Sequence, residues 1–204
     1  MQYKILSQTT NTYNEDRAQV ILRQGFTIFI VADGAGGTGC GNRAAQNTID
    51  YISDMEITKL NVKNPRYWET VITDIDSYLI SQNHGGETTV VIVAVCDNVI
   101  YGASVGDSSA WLIKEKDQIV DITTAQVRKP LVGCGRVNPT GFGSIRMEGF
   151  LLLASDGLTN YITLDKVTET VMKHGIDAGF PLVDLVRLPS GNLWDDITVI
   201  IAKG

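Results

Sequence analysis

The stretch FTIFIVADGAGG, residues Phe26–Gly37, decides how the fold of this 204-residue chain is interpreted. Its first residues are rich in Ile, Val and Phe, which predicts a buried strand covered on both faces. The apolar run ends at Asp33, and the glycines after it let backbone or a ligand approach closely. Asp-Gly is also a common turn dipeptide. Asp33 is therefore either an ordinary turn residue or a ligand held rigidly at the end of a strand.

The same glycines allow a dinucleotide-binding interpretation. Gly34, Gly36 and Gly39 match the GxGxxG pattern between a strand and a predicted helix. Against it, the charge of Asp33 directly before the first glycine would repel a pyrophosphate. No clear strand with an acidic ribose partner follows the helix either, because Met55–Leu60 is a poor candidate. The rest of the chain has to decide among the three interpretations.

The composition is that of an ordinary globular protein, with 44% hydrophobic and 20% charged residues and a length that suits one domain. The net charge of -6 argues against nucleic acid or an anionic membrane surface as a partner, because both would repel the protein. Three cysteines without metal-type spacing argue against a disulfide framework. The N-terminal residues lack the apolar run of a signal peptide, and no stretch approaches a membrane span. We therefore expect a cytoplasmic protein.

Hairpins and paired helices dominate the remaining pattern. Strands are predicted at Tyr3–Gln8, Ala18–Leu22, Phe26–Ala32, Thr88–Cys96, Val99–Val105, Ala110–Ile113, Ile119–Ile122, Phe150–Ala154 and Asp195–Ile201. Helices are predicted at Thr38–Asp54, Pro65–Gln82, Leu164–Lys173 and Pro181–Leu188. The segment Thr123–Gly143, rich in glycine, proline and polar residues, is predicted to be a loop.

This element order predicts an α+β fold. Neighbouring strands form hairpins rather than βαβ units, which favours two mainly antiparallel sheets flanked by helices, a four-layer α-β-β-α sandwich. No repeat or linker divides the chain, so a single domain over residues 1–204 is expected. This architecture disfavours the dinucleotide interpretation of the glycines.

Acidic residues recur at the ends of the predicted strands. Asp33, Asp107 and Asp156 each follow a strand, and Asp195 begins the last one. Carboxylates gather in a cleft only when a cation compensates their charge. With only two histidines in the chain, a nitrogen-rich zinc site is disfavoured, and oxygen ligands select Mg²⁺, Mn²⁺ or Ca²⁺. Two such cations about 3.5–4 Å apart form the recurrent clamp for in-line attack on phosphorus.

Six short motifs strengthen this interpretation through their order and spacing. They are Asn14–Arg17, Val31–Gly37, Glu87–Thr89, Val105–Ser108, Ala154–Leu158 and Asp195–Val199. Together they resemble the signature blocks of the metal-dependent protein phosphatases (type 2C, PPM), in a small bacterial-type form, over nearly the whole chain. The resemblance implies a β-sandwich with helices on both outer faces. It also implies hydrolysis of phosphoserine or phosphothreonine monoesters by a hydroxide that bridges two divalent cations, without a covalent intermediate.

The resemblance also assigns roles at the core of the site. Asp33 resembles the carboxylate that bridges the two metals, and Gly34 resembles the residue whose backbone carbonyl binds one of them. Asp156 and Asp195 resemble carboxylate ligands of the other metal. The implied cofactors are two Mn²⁺ or Mg²⁺ ions. The implied partner is a phosphorylated protein, the target of a serine/threonine kinase.

Further acids have roles that the resemblance implies less directly. Asp16, together with Glu15, resembles the acidic pair that reaches the metals directly or through water, and we expect Asp16 and Asp33 to be the catalytic carboxylates. Asp107 resembles the acid that helps to hold a third, weaker metal in bacterial members; it could equally hydrogen-bond a turn. Asp196 is expected to cap or support the site.

The chain departs from the family at the substrate-binding side. Asn11 stands where many members carry an arginine that binds the substrate phosphate, and Arg17, Arg43 or Arg136 could replace it. Ala35 stands where some members have a histidine that acts as a general acid. The flap that is longer in the family is reduced here to the Thr123–Gly143 segment.

These departures leave two alternatives to a protein phosphatase. The first is a catalytically weak or inactive relative that uses the fold as a binding or sensing module. The second is a small-molecule phosphomonoesterase. The protein phosphatase is favoured because the core metal carboxylates of the family are all present.

Overall fold

The structure is a computed structural model that describes residues 1–10, 12–36, 39–82, 86–115 and 118–204. Three positions used in the sequence analysis lie outside the described residues. They are Asn11 in the place of the family's arginine, Gly37 at the end of the FTIFIVADGAGG stretch, and Thr38 at the expected start of the first helix.

Ten strands in the described residues form two five-stranded sheets in which every pairing is antiparallel. The strands are β1 Gln2–Gln8, β2 Asp16–Arg23, β3 Phe26–Asp33, β4 Val90–Cys96, β5 Val99–Val105, β6 Ser109–Glu115, β7 Gln118–Asp121, β8 Thr140–Arg146, β9 Phe150–Ala154 and β10 Ile197–Lys203. One sheet has the order β1-β10-β9-β6-β7 and the other has the order β2-β3-β4-β5-β8. The two ends of the chain therefore meet in the first sheet, where β1 pairs with β10.

Helices cover the outer face of each sheet. They are α1 Gly41–Asp54, α2 Lys59–Val62, α3 Pro65–Ser81, α4 Asp156–Thr159, α5 Leu164–His174 and α6 Gly179–Val186, with a 3₁₀ turn at Gly175–Asp177. In α3 the first-turn proline is well tolerated, and the Asn64 side chain caps the helix by accepting from the N–H of Arg66. Within the described ranges, no helix is both long enough and apolar enough to cross a membrane.

The apolar side chains form three layers of core, which explains why β3 is apolar throughout. Successive side chains of a strand point to opposite faces. Phe29 and Val31 therefore face the core between the two sheets, whereas Ile28 and Ile30 face the core beneath α1 and α3. A third core lies between the other sheet and the helices α5 and α6. Two antiparallel sheets with helices on both outer faces confirm the predicted α-β-β-α sandwich.

The predicted loop at Thr123–Gly143 is wrong at its end, because β8 begins at Thr140 and pairs with β5. Its sequence TGFGSIR has two glycines and no regular alternation of apolar and polar residues, which hides the strand from a pattern-based prediction. The pairing with β5 also includes a register shift next to Tyr101. The irregular segment that remains between β7 and β8, residues 122–139, is called the short flap below.

Candidate functional site

A polar cavity of about 260 Å³ lies where the start of β2 and the end of β3 meet the starts of α4 and β10. Its lining residues are Glu15, Asp16, Asp33, Gly34, Ala35, Gly36, Thr89, Asp107, Lys129, Leu131, Asp156, Asp195 and Asp196. Every site residue predicted from the sequence is among them, namely Asp16, Asp33, Gly34, Asp107, Asp156 and Asp195. The structure thus brings together acids that are up to 179 positions apart, from Asp16 to Asp195. We call this space the acid cavity.

Strand pairing places the first two acids side by side. In the antiparallel pair of β2 and β3, Asp16 lies directly opposite Asp33, at the same end of the sheet. Asp16 is buried, with 3% of its surface exposed. Like charges directly opposite each other across two strands are destabilising. The hairpin therefore holds an unfavourable pair of acids in place through its backbone hydrogen bonds.

Two threonines fix the backbone of Asp33. The Asp33 N–H donates to the Thr89 hydroxyl at 3.0 Å, and the Asp33 carbonyl accepts from the Thr89 N–H at 2.8 Å. The same carbonyl accepts from the Thr88 hydroxyl at 2.9 Å. Both threonines are buried. These two threonines therefore hold the end of β3 rigid.

The glycines after Asp33 are required by close packing. A Cβ atom on Gly34 would lie 2.2 Å from the backbone carbon of Gly41, at the start of α1. A Cβ atom on Gly36 would lie 2.5 Å from the Glu15 carboxylate. The loop therefore packs against α1 on one side and leaves room for an acidic side chain on the other, so both glycines serve close approach at the acid cavity.

Ser155 links three parts of the site and was not identified from the sequence. It is fully buried, its hydroxyl donates to Asp16 Oδ2 at 2.7 Å, and its oxygen accepts from the Thr198 N–H at 2.9 Å. The next residue, Asp156, begins α4 and accepts from the Asn160 side chain at 3.0 Å. Ser155 therefore orients Asp16 from the strand–helix junction that also positions Asp156. The motif ASDGL contains the serine, but its partners are distant in sequence.

Asp196 organises the loop before β2, as expected of a capping residue. Its Oδ1 accepts from the Thr9 hydroxyl and the Thr10 N–H, both at 2.8 Å, and its Oδ2 accepts from the Glu15 N–H at 2.8 Å. Asp195, in contrast, is exposed, and its carboxylate accepts from the N–H of Asp196 at 2.8 Å. Asp196 thus holds the loop before β2 through hydrogen bonds, whereas the carboxylate of Asp195 stays accessible at the cavity.

The carboxyl groups deepest in the cavity are hard to ionise. Burial raises the pKa of Asp33 to about 10, and repulsion from Asp16 and Asp156 adds to the rise. Burial also raises the pKa of Asp16 to about 7, although hydrogen bonds from Ser155 and Thr198 act in the opposite direction. These directions follow because burial and like charge both favour the neutral form of a carboxyl group.

The acids nearer the opening show the same trend. The pKa of Asp156 is raised, first by burial and then by the charges of Asp107 and Asp195. Burial raises the pKa of Glu15, and Asp196 contributes to that rise. The raised pKa values show that the positive charge near these four acids is too small to stabilise their ionised forms.

A divalent cation fits this donor set. The ligating atoms available are carboxylate and carbonyl oxygens, which suit hard cations such as Mg²⁺ and Mn²⁺. The carboxyl groups of Asp33 and Asp156 lie within hydrogen-bonding reach of each other, which two ionised carboxylates tolerate only with a proton or a cation between them. In the described parts of the chain, no three acid, histidine or cysteine side chains already converge as a finished coordination shell.

Positive charge near the cavity comes from the short flap. Lys129 lines the acid cavity and also an adjoining open cavity of about 520 Å³ that Arg136 lines too. Arg17, one of the predicted replacements for the missing arginine, is already bound to the carbonyls of Asn14 and Asp16 and to the Gln46 side chain. The sequence indicates Arg136 as a candidate but gives no signal for Lys129, because no local pattern places the flap over the acids.

Comparisons with known proteins identify similar chains. No protein-family model matches. The protein phosphatase PhpP of Streptococcus pneumoniae is 28% identical over 234 aligned residues, which cover 94% of this chain and 92% of that protein. A protein of Streptococcus pyogenes whose name describes a 2C-type protein phosphatase is 24% identical, over 88% of this chain and 86% of its own length.

Solved structures have the same fold. A substituted form of a bacterial serine phosphatase has a TM-score of 0.85 at 28% identity, covering 99% of this chain and 97% of its own. The serine/threonine phosphatase Stp1 of Staphylococcus aureus has a TM-score of 0.83 at 23% identity, covering 99% and 94%. The catalytic domain of the phosphatase PstP, solved in complex with two manganese ions, has a TM-score of 0.82 at 20% identity, covering 99% and 97%.

Proposed function

The chain belongs to the metal-dependent protein phosphatases of type 2C (PPM), and from this premise we propose that it hydrolyses phosphoserine and phosphothreonine monoesters in phosphorylated proteins. One observation carries the proposal: acids from separate strands, loops and a helix start line a single cavity. The substrates would be targets of a serine/threonine kinase. The proposal treats residues 1–204 as one phosphatase domain with a shortened flap, acting in the cytoplasm.

The acid cavity would hold two divalent cations, Mn²⁺ or Mg²⁺. Asp33 would bridge the pair, the Gly34 carbonyl would bind one cation, and Asp156 and Asp195 would bind the other. The two manganese ions of the PstP structure support a pair of cations, since PstP has this fold. When bound, such cations generate a nucleophile from water at neutral pH and neutralise charge on the phosphate. Asp107 would help to hold a third, weaker cation.

The chain's own residues position the acids of the cavity. Thr88 and Thr89 hold the Asp33 backbone, so its carboxylate stays at one place in the cavity. Ser155 donates a hydrogen bond to one oxygen of Asp16 and keeps this carboxyl group fixed beside Asp33. Glu15, the residue before Asp16, also lines this cavity. Asp16 and Asp33 are therefore the carboxylates that we assign to catalysis.

The proposal is tested by release of phosphate from a phosphoserine or phosphothreonine peptide at saturating Mn²⁺, comparing the wild type with Asp33→Asn. The amide cannot supply the charge that holds two cations. We expect the variant to lose about 10²–10³ in kcat, the size of one lost electrostatic stabiliser in an active site. A wild type that releases no more phosphate than Asp33→Asn would refute the function.

Metal binding can be measured separately from turnover. Calorimetric titration with Mn²⁺ should show binding to the wild type and weaker binding to Asp33→Asn. Binding of Mn²⁺ without hydrolysis of phosphopeptides, sugar phosphates or nucleotide phosphates would exclude the enzyme and leave only a metal-binding module. Hydrolysis of the small phosphates alone would contradict the assignment of a protein substrate.

A further inference from the structure

The acid cavity and the adjoining open cavity share two lining residues, Lys129 and Leu131, both on the short flap. Within the described residues that line the acid cavity, Lys129 is the one cationic side chain among seven acidic ones. The adjoining cavity adds Arg136 and Glu87, which leaves it with two cations and one carboxylate. A path thus runs from the acids, past Lys129, to a region where positive charge is in excess.

Two cations of the short flap, Lys129 and Arg136, are not used by the fold. In the described part of the chain, the side chains of Lys129 and Arg136 make no ion pair or hydrogen bond. Other cations are paired, as Arg146 is with Glu148 and Arg187 is with Asp184. An unpaired ammonium beside a cavity is available for an anion of the substrate.

The backbone that carries these cations is fixed despite its irregular course. Asp76 on α3 is buried, and its carboxylate accepts from the backbone N–H groups of Gly133, Gly135 and Val137. Thr88 and Val132 exchange two backbone N–H···O=C hydrogen bonds, which attach the flap to the segment that also holds Asp33. The flap backbone is therefore anchored before and after Cys134. The anchored residues lie close in sequence to both Lys129 and Arg136.

We propose that Lys129 binds the phosphate group of the substrate and that Arg136 contacts an acidic side chain next to the phosphorylated residue. The inference rests on the proposed phosphatase function and names the substrate feature that the flap recognises. A phosphate dianion entering a cavity of seven carboxylates needs positive charge from the protein as well as from cations. A lysine binds phosphate as a compact point charge, and Lys129 is the residue placed to do so. The net positive charge of the adjoining cavity then favours an acidic neighbour on the same peptide.

The test for Lys129 compares Lys129→Gln, Lys129→Arg and the control Lys173→Gln. Lys173 is an exposed lysine on α5, outside both cavities, so it controls for the change in net charge. With an aryl phosphate and Mn²⁺, Lys129→Gln should lower kcat/KM about 10- to 100-fold, the equivalent of one hydrogen bond to a charged group. Lys129→Arg should restore most of the loss. The control should match the wild type.

A binding measurement separates substrate recognition from chemistry. The anisotropy of a fluorescent, non-hydrolysable phosphonopeptide should give a weaker Kd for Lys129→Gln, while calorimetry should give an unchanged Kd for Mn²⁺. The assignment of Lys129 is overturned if the Lys129→Gln variant has the same Kd for the phosphonopeptide and the same kcat/KM as the wild type. A wild type with no phosphatase activity would instead refute the proposed function.

The test for Arg136 uses selectivity within each enzyme. Phosphopeptides carrying glutamate directly before or directly after the phosphoserine are compared with the alanine peptide. Wild type should favour one glutamate peptide by about two- to fivefold, as expected of a partly exposed charge pair. Arg136→Gln should bring that ratio to about one. Equal rates on all three peptides with the wild type, or an unchanged ratio in Arg136→Gln, would overturn this part of the proposal.

Discussion

Asp76, which is buried, and Asp33, which is partly buried, lie in neighbouring regions and have opposite electrostatic surroundings. Asp76, under the short flap, points its carboxylate at three backbone N–H groups. Asp33, in the acid cavity, faces other carboxyl groups, and its pKa is raised to about 10. The fold supplies hydrogen-bond donors to the Asp76 carboxylate. It places the Asp33 carboxyl group among other acids, which disfavour its ionised form.

The difference separates structural charge from functional charge. A buried carboxylate with good donors stabilises the segment that supplies them. A partly buried carboxyl group among other acids stays in place only because strands hold it there, and it marks a site where the fold tolerates strain for function. Asp196 is a structural acid like Asp76, because its carboxylate accepts from four donors of Thr9, Thr10 and Glu15.

The comparison predicts that Asp76→Ala has the largest effect on stability. The variant leaves up to three backbone N–H groups under the flap without their acceptor, so the free energy of unfolding should fall by about 2–4 kcal/mol. Asp74→Ala, an exposed position on the same helix, is the matched control and should change stability little. Urea unfolding measures both variants. Equal stability of the two would mean that Asp76 does not anchor the flap.

The acid cavity should make the metal-free protein less stable as pH rises. The folded-state pKa values of Asp16, about 7, and Asp33, about 10, lie above the unfolded value. Their neutral forms therefore stabilise the fold fully below the unfolded pKa, and this contribution is lost as pH rises through the folded values. Between pH 5 and 8 in the presence of a chelator, the free energy of unfolding should fall by about 1.4 kcal/mol per pH unit for each of these carboxyl groups that stays protonated only in the folded state.

Saturating Mn²⁺ should flatten this dependence, because a cation that binds only the folded state stabilises it most where the carboxyl groups are ionised. Urea titrations at pH 5, 6.5 and 8, with and without Mn²⁺, measure both effects. Stability that rises with pH in the chelated protein would contradict the repulsion described for the cavity.

Asp33→Asn should stabilise the metal-free protein while it removes activity. Replacing the carboxyl by an amide removes one member of a repelling group, so the free energy of unfolding at pH 8 with a chelator should rise by about 1–2 kcal/mol. Asp76→Asn, made in the same background, should instead lower it. If both asparagine variants shift stability in the same direction, the proposed contrast between the two aspartates is wrong.

Much of the fold and of the acid cavity could be predicted because their signals are local. Asp33 and Asp156 each end an apolar run, so the strand pattern and the acid appear together in the sequence. The strand β8 could not be predicted, since its stability comes from pairing with β5 and not from its own glycine-rich sequence.

The remaining parts of the site depend on contacts between distant residues. Ser155 matters through Asp16 and Thr198, which lie 139 and 43 positions away. The position of Lys129 depends on a flap that is held by Asp76, 57 positions before Gly133. No local spacing encodes either arrangement, so only the packed structure shows them.

The smallest effect is expected from Ser155→Ala. This variant changes the pKa of Asp16 and removes none of the acids of the cavity. The Ser155 hydroxyl donates to Asp16 and lowers its pKa, so its loss should raise that pKa and make the carboxylate harder to form. Because Mn²⁺ requires the ionised carboxylate, its Kd at pH 6.5 should weaken by about three- to tenfold, at the lower end of effects from residues that orient ligands. At pH 8.5, where Asp16 ionises more fully in both proteins, the Kd values should converge. Calorimetry at the two pH values measures this, and an equal defect at both would show that Ser155 acts through packing and not through the charge of Asp16.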